Sequence, residues 1–382
     1  MGERSILAVQ PLPSRGGPAV QLVGFSGELR DHGFSVHVLA EEGDDMIGEY
    51  ASVAASVHTL KRLDTFPRTA SPWRWGEHLA RLWSASSGIM RVARAVDAEL
   101  IYTFNDIFLA GPIAARRMRI PSVMHLLGMT TLEPVWLGAV WSHVLRGLAD
   151  RIVCCQELIA SRLRGHGVPA SRLCVAYNSV DTERVRSRAL AVPPPRLDPG
   201  TLTVGMVAGM DPRKGHLNLI AAAGRVVREI PEARFVVVGR TSGNDPYLDR
   251  IRHAITAQQL DERFRLIGPV SNALAWIRAV DVLCIPSRTE ALSVAGIEAM
   301  ALGRPIVATD VGGNRVAVED GVNGLISKAN DPIDLAEKIM VLLRDPSLRR
   351  RLGKAGVKRA EQRFTLKRNG DVLAESLTRI VA

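Results

Sequence analysis

At 382 residues, 47% of them hydrophobic and 23% charged, the chain has the size and balance of a soluble protein of two globular domains rather than a disordered or fibrous one. The net charge of +10 is concentrated in residues 344–368, which carry ten basic and two acidic side chains, while residues 1–180 are nearly neutral at +2. Nucleic acid is excluded as a partner, because no aromatic interleaving or binding motif accompanies the charge; the basic segment reads as a solvated helix face or as a weak peripheral contact with an anionic membrane surface.

The N-terminus runs directly into Ile6-Leu-Ala-Val9 without the features of a secretory signal, and no apolar run reaches the length of a membrane span. A cytoplasmic location is the expectation. A strand over Ser5–Val9 is followed by the turn-rich Pro11–Pro18 and an amphipathic helix over about Ala19–His32. Apolar extended runs recur at Phe34–Leu39, Leu100–Phe104, Ser122–Leu127 and Ile152–Cys155, with helical stretches between them. Residues 55–85, with Pro67, Pro72 and three tryptophans, fit this alternation poorly and read as a variable loop on the acceptor side. Pro193-Pro-Pro-Arg-Leu-Asp-Pro-Gly200 is the strongest break, and it places a hinge around 180–200. The alternation then restarts with Leu202–Val207, Arg234–Gly239, Phe264–Gly268, Val280–Ile285 and Pro305–Ala308. Short apolar strands separated by helices predict α/β domains with parallel sheets.

Several loops at strand ends carry candidate chemistry. Gly16-Gly17 sits between the first strand and helix, where a bare backbone can approach a phosphate or simply make a turn. Gly209-Met-Asp-Pro-Arg-Lys-Gly215 occupies the equivalent place in the second half; Lys214 and Arg213 there are either solvated or paired with a pyrophosphate. His125 ends a strand and is either a satisfied structural residue or a functional one. Glu290 and Glu298 stand eight residues apart, the first in a loop after a strand and the second in the following helix. Two acceptors flanking a helix N-terminus match a sugar nucleotide, with hydroxyls on either side of its pyrophosphate. Cys154, Cys155, Cys174 and Cys284 lack metal-ligand spacing and read as buried thiols, and neither a catalytic metal nor acyl chemistry is indicated.

Taken in order, these fragments resemble the retaining GT-B glycosyltransferases of family 4. The resemblance is carried by the early Gly-Gly loop, His125, Ala149–Val153, Asn178–Asp181, Lys214-Gly215, Pro286-Ser287, Glu290-x7-Glu298 running on to Pro305, Asp310–Gly313, Gly324–Ile326 and Arg363–Thr365. It implies two Rossmann-like domains facing each other across a cleft: residues 1–180 for the acceptor, 181–365 for the nucleotide-sugar donor, and a helix over 366–382 crossing back to the first. The implied activity is transfer of a hexose or N-acetylhexosamine, from a UDP-linked donor, to a hydroxyl of a small-molecule acceptor, with no metal or other cofactor. In that scheme Lys214 binds the diphosphate, assisted by Arg213; Glu290 contacts the hexose; and Glu298 holds the ribose. Amides near Leu292, Ser293 and Val294 meet hexose and phosphate, Val270 lies beside the base, Gly16 or Gly17 closes from the other domain, and His125 sits against the sugar. The chain departs from the family at Met210, where an arginine is usual, and at Leu292-Ser293, where an aromatic residue and glycine are usual. Related folds also serve nucleotide-sugar epimerases and non-catalytic, membrane-associated binding proteins.

Overall fold

A computed structural model describes residues 3–11, 16–63, 75–105, 107–128, 135–240 and 246–381. The chain divides into two compact units: Met1–Ser179 with Leu366–Ala382, and Val180–Thr365.

The first unit is built on a parallel sheet in the order β3-β2-β1-β4-β5-β6-β7. Its strands are β1 (Arg4–Gln10), β2 (Phe34–Glu41), β3 (Ser56–Leu60), β4 (Leu100–Phe104), β5 (Ser122–Leu126), β6 (Arg151–Cys154) and β7 (Leu173–Val175). The helices between them are α1 (Gly17–Asp31), α2 (Ile47–Ala51), α3 (Trp75–Ala95), α4 (Ala110–Met118), α5 (Val135–Leu148) and α6 (Glu157–Gly165). In β1, Ile6 and Ala8 enter a core with Phe25, Phe34, Tyr102 and Phe104, while Leu7 and Val9 enter a second core with Ile89, Ile101 and Phe108. That two-sided burial is why the strands read as nearly continuous apolar runs: helices cover both faces of a parallel sheet.

In the second unit the order is β10-β9-β8-β11-β12-β13, again parallel. After α7 (Thr182–Leu190) come β8 (Leu202–Val207), α8 (His216–Glu229), β9 (Ala233–Val238), α9 (Pro246–Ala257), β10 (Phe264–Gly268) and α10 (Ala273–Ala279). There follow β11 (Val282–Ile285), α11 (Val294–Ala301), β12 (Ile306–Thr309), α12 (Asn314–Ala317), β13 (Gly324–Ser327), α13 (Pro332–Arg344) and α14 (Pro346–Arg363). The final helix, α15 (Leu366–Val381), returns to the first unit, where Leu373, Ala374 and Leu377 complete the core under α1.

Two sequence expectations change. Residues 56–60 are the edge strand β3 and residues 75–85 the start of α3, so the loop reading of 55–85 is too broad; its stretch 64–74 lies outside the described residues. The units divide between Ser179 and Val180, so Pro193–Gly200 lies inside the second unit, after α7. Asp181 caps α7 by accepting from the amides of Glu183 and Arg184, and Arg186 Nε donates to the Ala301 carbonyl at 3.1 Å. The basic segment is partly structural: Arg349 donates to the Leu342 and Leu343 carbonyls at the end of α13, both at 2.7 Å. Arg359 bonds Glu319 at 3.0 Å and the Val316 carbonyl at 2.9 Å. These cations neutralise exposed helix-end carbonyls and a carboxylate, so their charge is committed within the unit.

Each sheet has a point where successive strands depart to opposite sides: between β1 and β4 in the first, and between β8 and β11 in the second. The carboxyl ends of strands at such a switch form the usual ligand crevice of an open α/β sheet.

Candidate active site

The loops after β8 and β11 meet at the second unit's switch point. The β8 loop ends in a tight turn over Pro212–Lys214, capped by Asp211, whose carboxylate accepts from the Arg213 amide at 2.8 Å. Gly215 follows with φ +79°, and a Cβ there would lie 1.8 Å from the Pro286 carbonyl oxygen. Only glycine allows that approach. The Arg288 amide donates to the Arg213 carbonyl at 2.7 Å, tying the loops a second time.

This seam brings Lys214 to Glu290. The Lys214 ammonium donates to Glu290 Oε2 at 2.8 Å, and the Ser287 hydroxyl donates to the same oxygen at 3.1 Å. Glu290 is 8% exposed, and its own carbonyl accepts from the Gly313 amide at 2.9 Å. Ser287 is held from the neighbouring strand: Thr309 Oγ1 donates to its carbonyl at 2.6 Å, and Asn314 Nδ2 to the Thr309 carbonyl at 2.9 Å. A small depression at the group is lined among others by Lys214, Ser287, Glu290, Ser293 and Ala295.

Helix α11 starts at the rim. Ser293 is its N-cap, with its hydroxyl accepting from the Gly296 amide at 3.2 Å. The amides of Val294 and Ala295, in the first turn, have no intrahelical acceptor to bond. They present partial positive charge beside Lys214, which suits an anion. Glu298 lies one turn further, half-buried, with no side-chain hydrogen bond among the described residues. Burial pushes its carboxyl up to about 7, opposed only by the charge of Arg188.

The other expected residues divide. Leu292 is 2% exposed and is a core residue. Val270 is half-buried in the loop after β10. Arg213 is turned to Asp211, with Nε within 3.0 Å of its carboxylate. Burial would raise the Asp211 carboxyl, but hydrogen bonds and charge from Arg213, with the charge of Lys214, hold it below its ordinary range. Met210, where the family resemblance expects an arginine, is partly buried against the second unit's core.

In the first unit, Gly16 is the extended N-cap of α1 and Gly17 its first residue, at the carboxyl end of β1. His125 lies on β5. It is 0% exposed, with Nδ1 at 2.7 Å from the Tyr102 hydroxyl and its ring against Phe25 and Phe104. Burial drives its pKa down to about 3, so it is neutral. Its Nε2 has no hydrogen-bond partner among the described residues.

Sequence reasoning does not single out Thr309, and it reaches Ser287 and Gly313 only as parts of Pro286-Ser287 and Asp310–Gly313. Thr309 and Gly313 act through a strand and a loop that reach Glu290 only in the folded sheet.

Two family descriptions cover most of the chain. Residues 15–184 match Glycosyltransferase Family 4, and residues 191–359 match Glycosyl transferases group 1. The D-inositol 3-phosphate glycosyltransferase of Streptomyces bingchenggensis is 31% identical over 274 residues, which is 66% of this chain and 60% of that protein. A D-inositol 3-phosphate glycosyltransferase 2 from Catenulispora acidiphila is 28% identical over 363 residues, 87% of this chain and 82% of that protein. With several other curated relatives the match spans about half their length, as with the 50% covered in a Mycobacterium protein of the same name. Among solved structures, HepE from Anabaena in complex with UDP and glucose superposes with a TM-score of 0.82 at 22% identity, over 98% of this chain and 99% of that one. The sucrose-phosphate synthase of Thermosynechococcus elongatus gives 0.78 at 20% identity, over 98% of both chains. The chain belongs to the group 1 glycosyltransferases of family 4 and has their two-domain GT-B fold.

Proposed function

We propose that the protein is a retaining glycosyltransferase that moves a hexose or N-acetylhexosamine from a UDP-linked donor to a hydroxyl of a small-molecule acceptor, with no metal required. The observation that carries this reading is the cluster at the β8–β11 switch point: Lys214, Glu290 and Ser287 within hydrogen-bond distance, beside the open amides of α11. Lys214 and those amides supply the positive charge that a departing diphosphate needs. Glu290 accepts hexose hydroxyls once the diphosphate competes for Lys214. In the transfer itself the bond from the anomeric carbon to the diphosphate breaks. The acceptor oxygen bonds to that carbon from the same face, and its proton passes to the leaving phosphate. The HepE complexes with UDP and with UDP-glucose support UDP as the first nucleotide to test, and the curated relatives make D-inositol 3-phosphate the first acceptor.

A panel of nucleotide sugars scored by thermal stabilisation identifies the donor, because a ligand of the native state raises stability by mass action. UDP release that depends on acceptor, unaffected by EDTA, with the product's anomeric configuration equal to the donor's, is the expected result. An absence of stabilisation by every nucleotide sugar sinks the proposal, and conversion of the nucleotide sugar to its epimer with no net release of UDP points instead to epimerase chemistry.

Glu298 gives a pH test. Ribose hydroxyls donate to a carboxylate and not to a neutral acid in the same way, so donor binding favours the ionised form. Donor affinity should rise with pH through about 7 and level off above it. Stability without ligand runs the other way. Since the folded pKa lies above the ordinary 4.5, ionisation in the folded state costs free energy, and stability falls as pH rises from about 4.5 through about 7. Glu298→Gln should therefore flatten both profiles, leaving the variant about 1–3 kcal/mol more stable than the parent at pH 8 and equal to it near pH 4. Isothermal titration and denaturant unfolding at several pH values measure the two effects; a donor affinity independent of pH in the parent protein removes Glu298 from the ribose site.

A further inference from the structure

The tryptophans are unevenly placed: Trp73, Trp75, Trp83, Trp136 and Trp141 fall in or just before α3 and α5, leaving only Trp276 elsewhere. Both helices start at the carboxyl edge of the first unit's parallel sheet, and α4 packs against each of them. On α3 Trp83 is 61% exposed and Leu79 59%, and on α5 Val140 is 56% exposed. Leu79 and Trp83 are four residues apart and so share one stripe of α3. The Arg117 guanidinium sits 3.9 Å over the Trp83 ring and donates to the Ser87 hydroxyl at 3.1 Å, so the indole is held in place rather than loose.

The flank is basic. Leu60 packs against Gly88 of α3, and Leu63 is buried in the cluster that holds Ala85 and Ile89. These two anchors leave Lys61 and Arg62 exposed between them on the side of α3. Among the described side chains of residues 61–63 and 78–91, Lys61, Arg62, Arg81 and Arg91 are basic and none is acidic. A fixed indole and a leucine set among cations are the components of an interfacial anchor: the apolar groups enter the headgroup boundary while the cations meet anionic lipid. A convex helix face offers no groove for a peptide, and the like charge of its flank opposes pairing with a second copy. The basic helix α14 is the weaker candidate, since Arg349 and Arg359 are committed to carbonyls and to Glu319.

We infer that the protein docks on anionic bilayers through the face of α3 that carries Leu79 and Trp83, with Lys61 and Arg62 beside it. Lipid docking and donor chemistry are independent, because α3 belongs to the first unit while Lys214 and Glu290 belong to the second. The test is co-sedimentation of the full chain with phosphatidylcholine vesicles, with and without half their lipid replaced by phosphatidylglycerol. Binding is expected to the anionic vesicles alone and to weaken with salt. The double variant Leu79→Glu, Trp83→Glu should weaken it by about tenfold or more with an unchanged melting temperature. Lys354→Glu with Lys358→Glu on α14 should leave it nearly unchanged. The inference is overturned if the parent protein ignores anionic vesicles, or if only the α14 variant loses binding. It is also overturned if the parent is a dimer that the α3 variant dissociates, since the face then belongs to a second copy.

Discussion

Lys214→Met is expected to lower kcat/KM for the nucleotide sugar by about 10²–10³, in line with removing one preorganised partner of developing charge, and to weaken UDP binding alongside. The side chain is a third exposed and lies at the mouth of the depression, so its loss should leave the fold intact. Glu290→Gln keeps the shape and the Ser287 contact but removes the charge, and it should act chiefly on kcat. The two residues share one contact of 2.8 Å. Their effects should therefore be strongly non-additive, with the double variant far less impaired than the product of the single losses. Initial-rate kinetics on the three variants, with UDP titrations, decide this. Fully multiplicative losses mean that the ion pair of the unliganded protein has no part in catalysis.

The second large effect concerns the seam that makes the site. Gly215→Val combines a left-handed backbone with a Cβ placed against the Pro286 carbonyl. Strain and overlap together should cost about 3–5 kcal/mol, a large share of ordinary stability. Because Lys214 and Ser287 are the immediate neighbours of the two clashing residues, the variant should lose donor binding even where it remains folded. Denaturant unfolding gives the first number and UDP titration in the native baseline the second. A variant of native stability would mean that the two loops separate at little cost.

Much of this architecture can be read from the sequence because parallel strands are apolar on both faces. Leu100–Phe104, Phe264–Gly268 and Leu202–Val207 are readable with their bounds intact. The strands that escape are edges: β3 is half-polar Ser56-Val-His-Thr-Leu60, and β7 has three residues. Edge strands need not be apolar throughout, so the signal fades there. Lys214 and Glu290 are legible as types at strand ends, but not as a pair, because β8 and β11 become neighbours only through the strand order. His125 is legible as a residue at a strand's end, but its burial is not, since that depends on the helix packed there, here α1 with Phe25. Pro193–Gly200 is a break inside the second unit, between α7 and β8, since proline interrupts regular structure wherever it falls.

The return of α15 to the first unit has a consequence for how the chain is made. The ribosome delivers the whole of Val180–Thr365 before Leu366–Val381 emerges, so the first unit must wait with the groove for Leu373, Ala374 and Leu377 unfilled. During that interval Phe25, Leu22 and Tyr102 lack part of their cover. Their exposed surface is a hazard for aggregation and a handle for chaperones. The second unit, contiguous in sequence, has no such dependence and can finish first. The order of assembly would then run against the order of synthesis, with the amino-terminal unit sealed last by the helix at its far end.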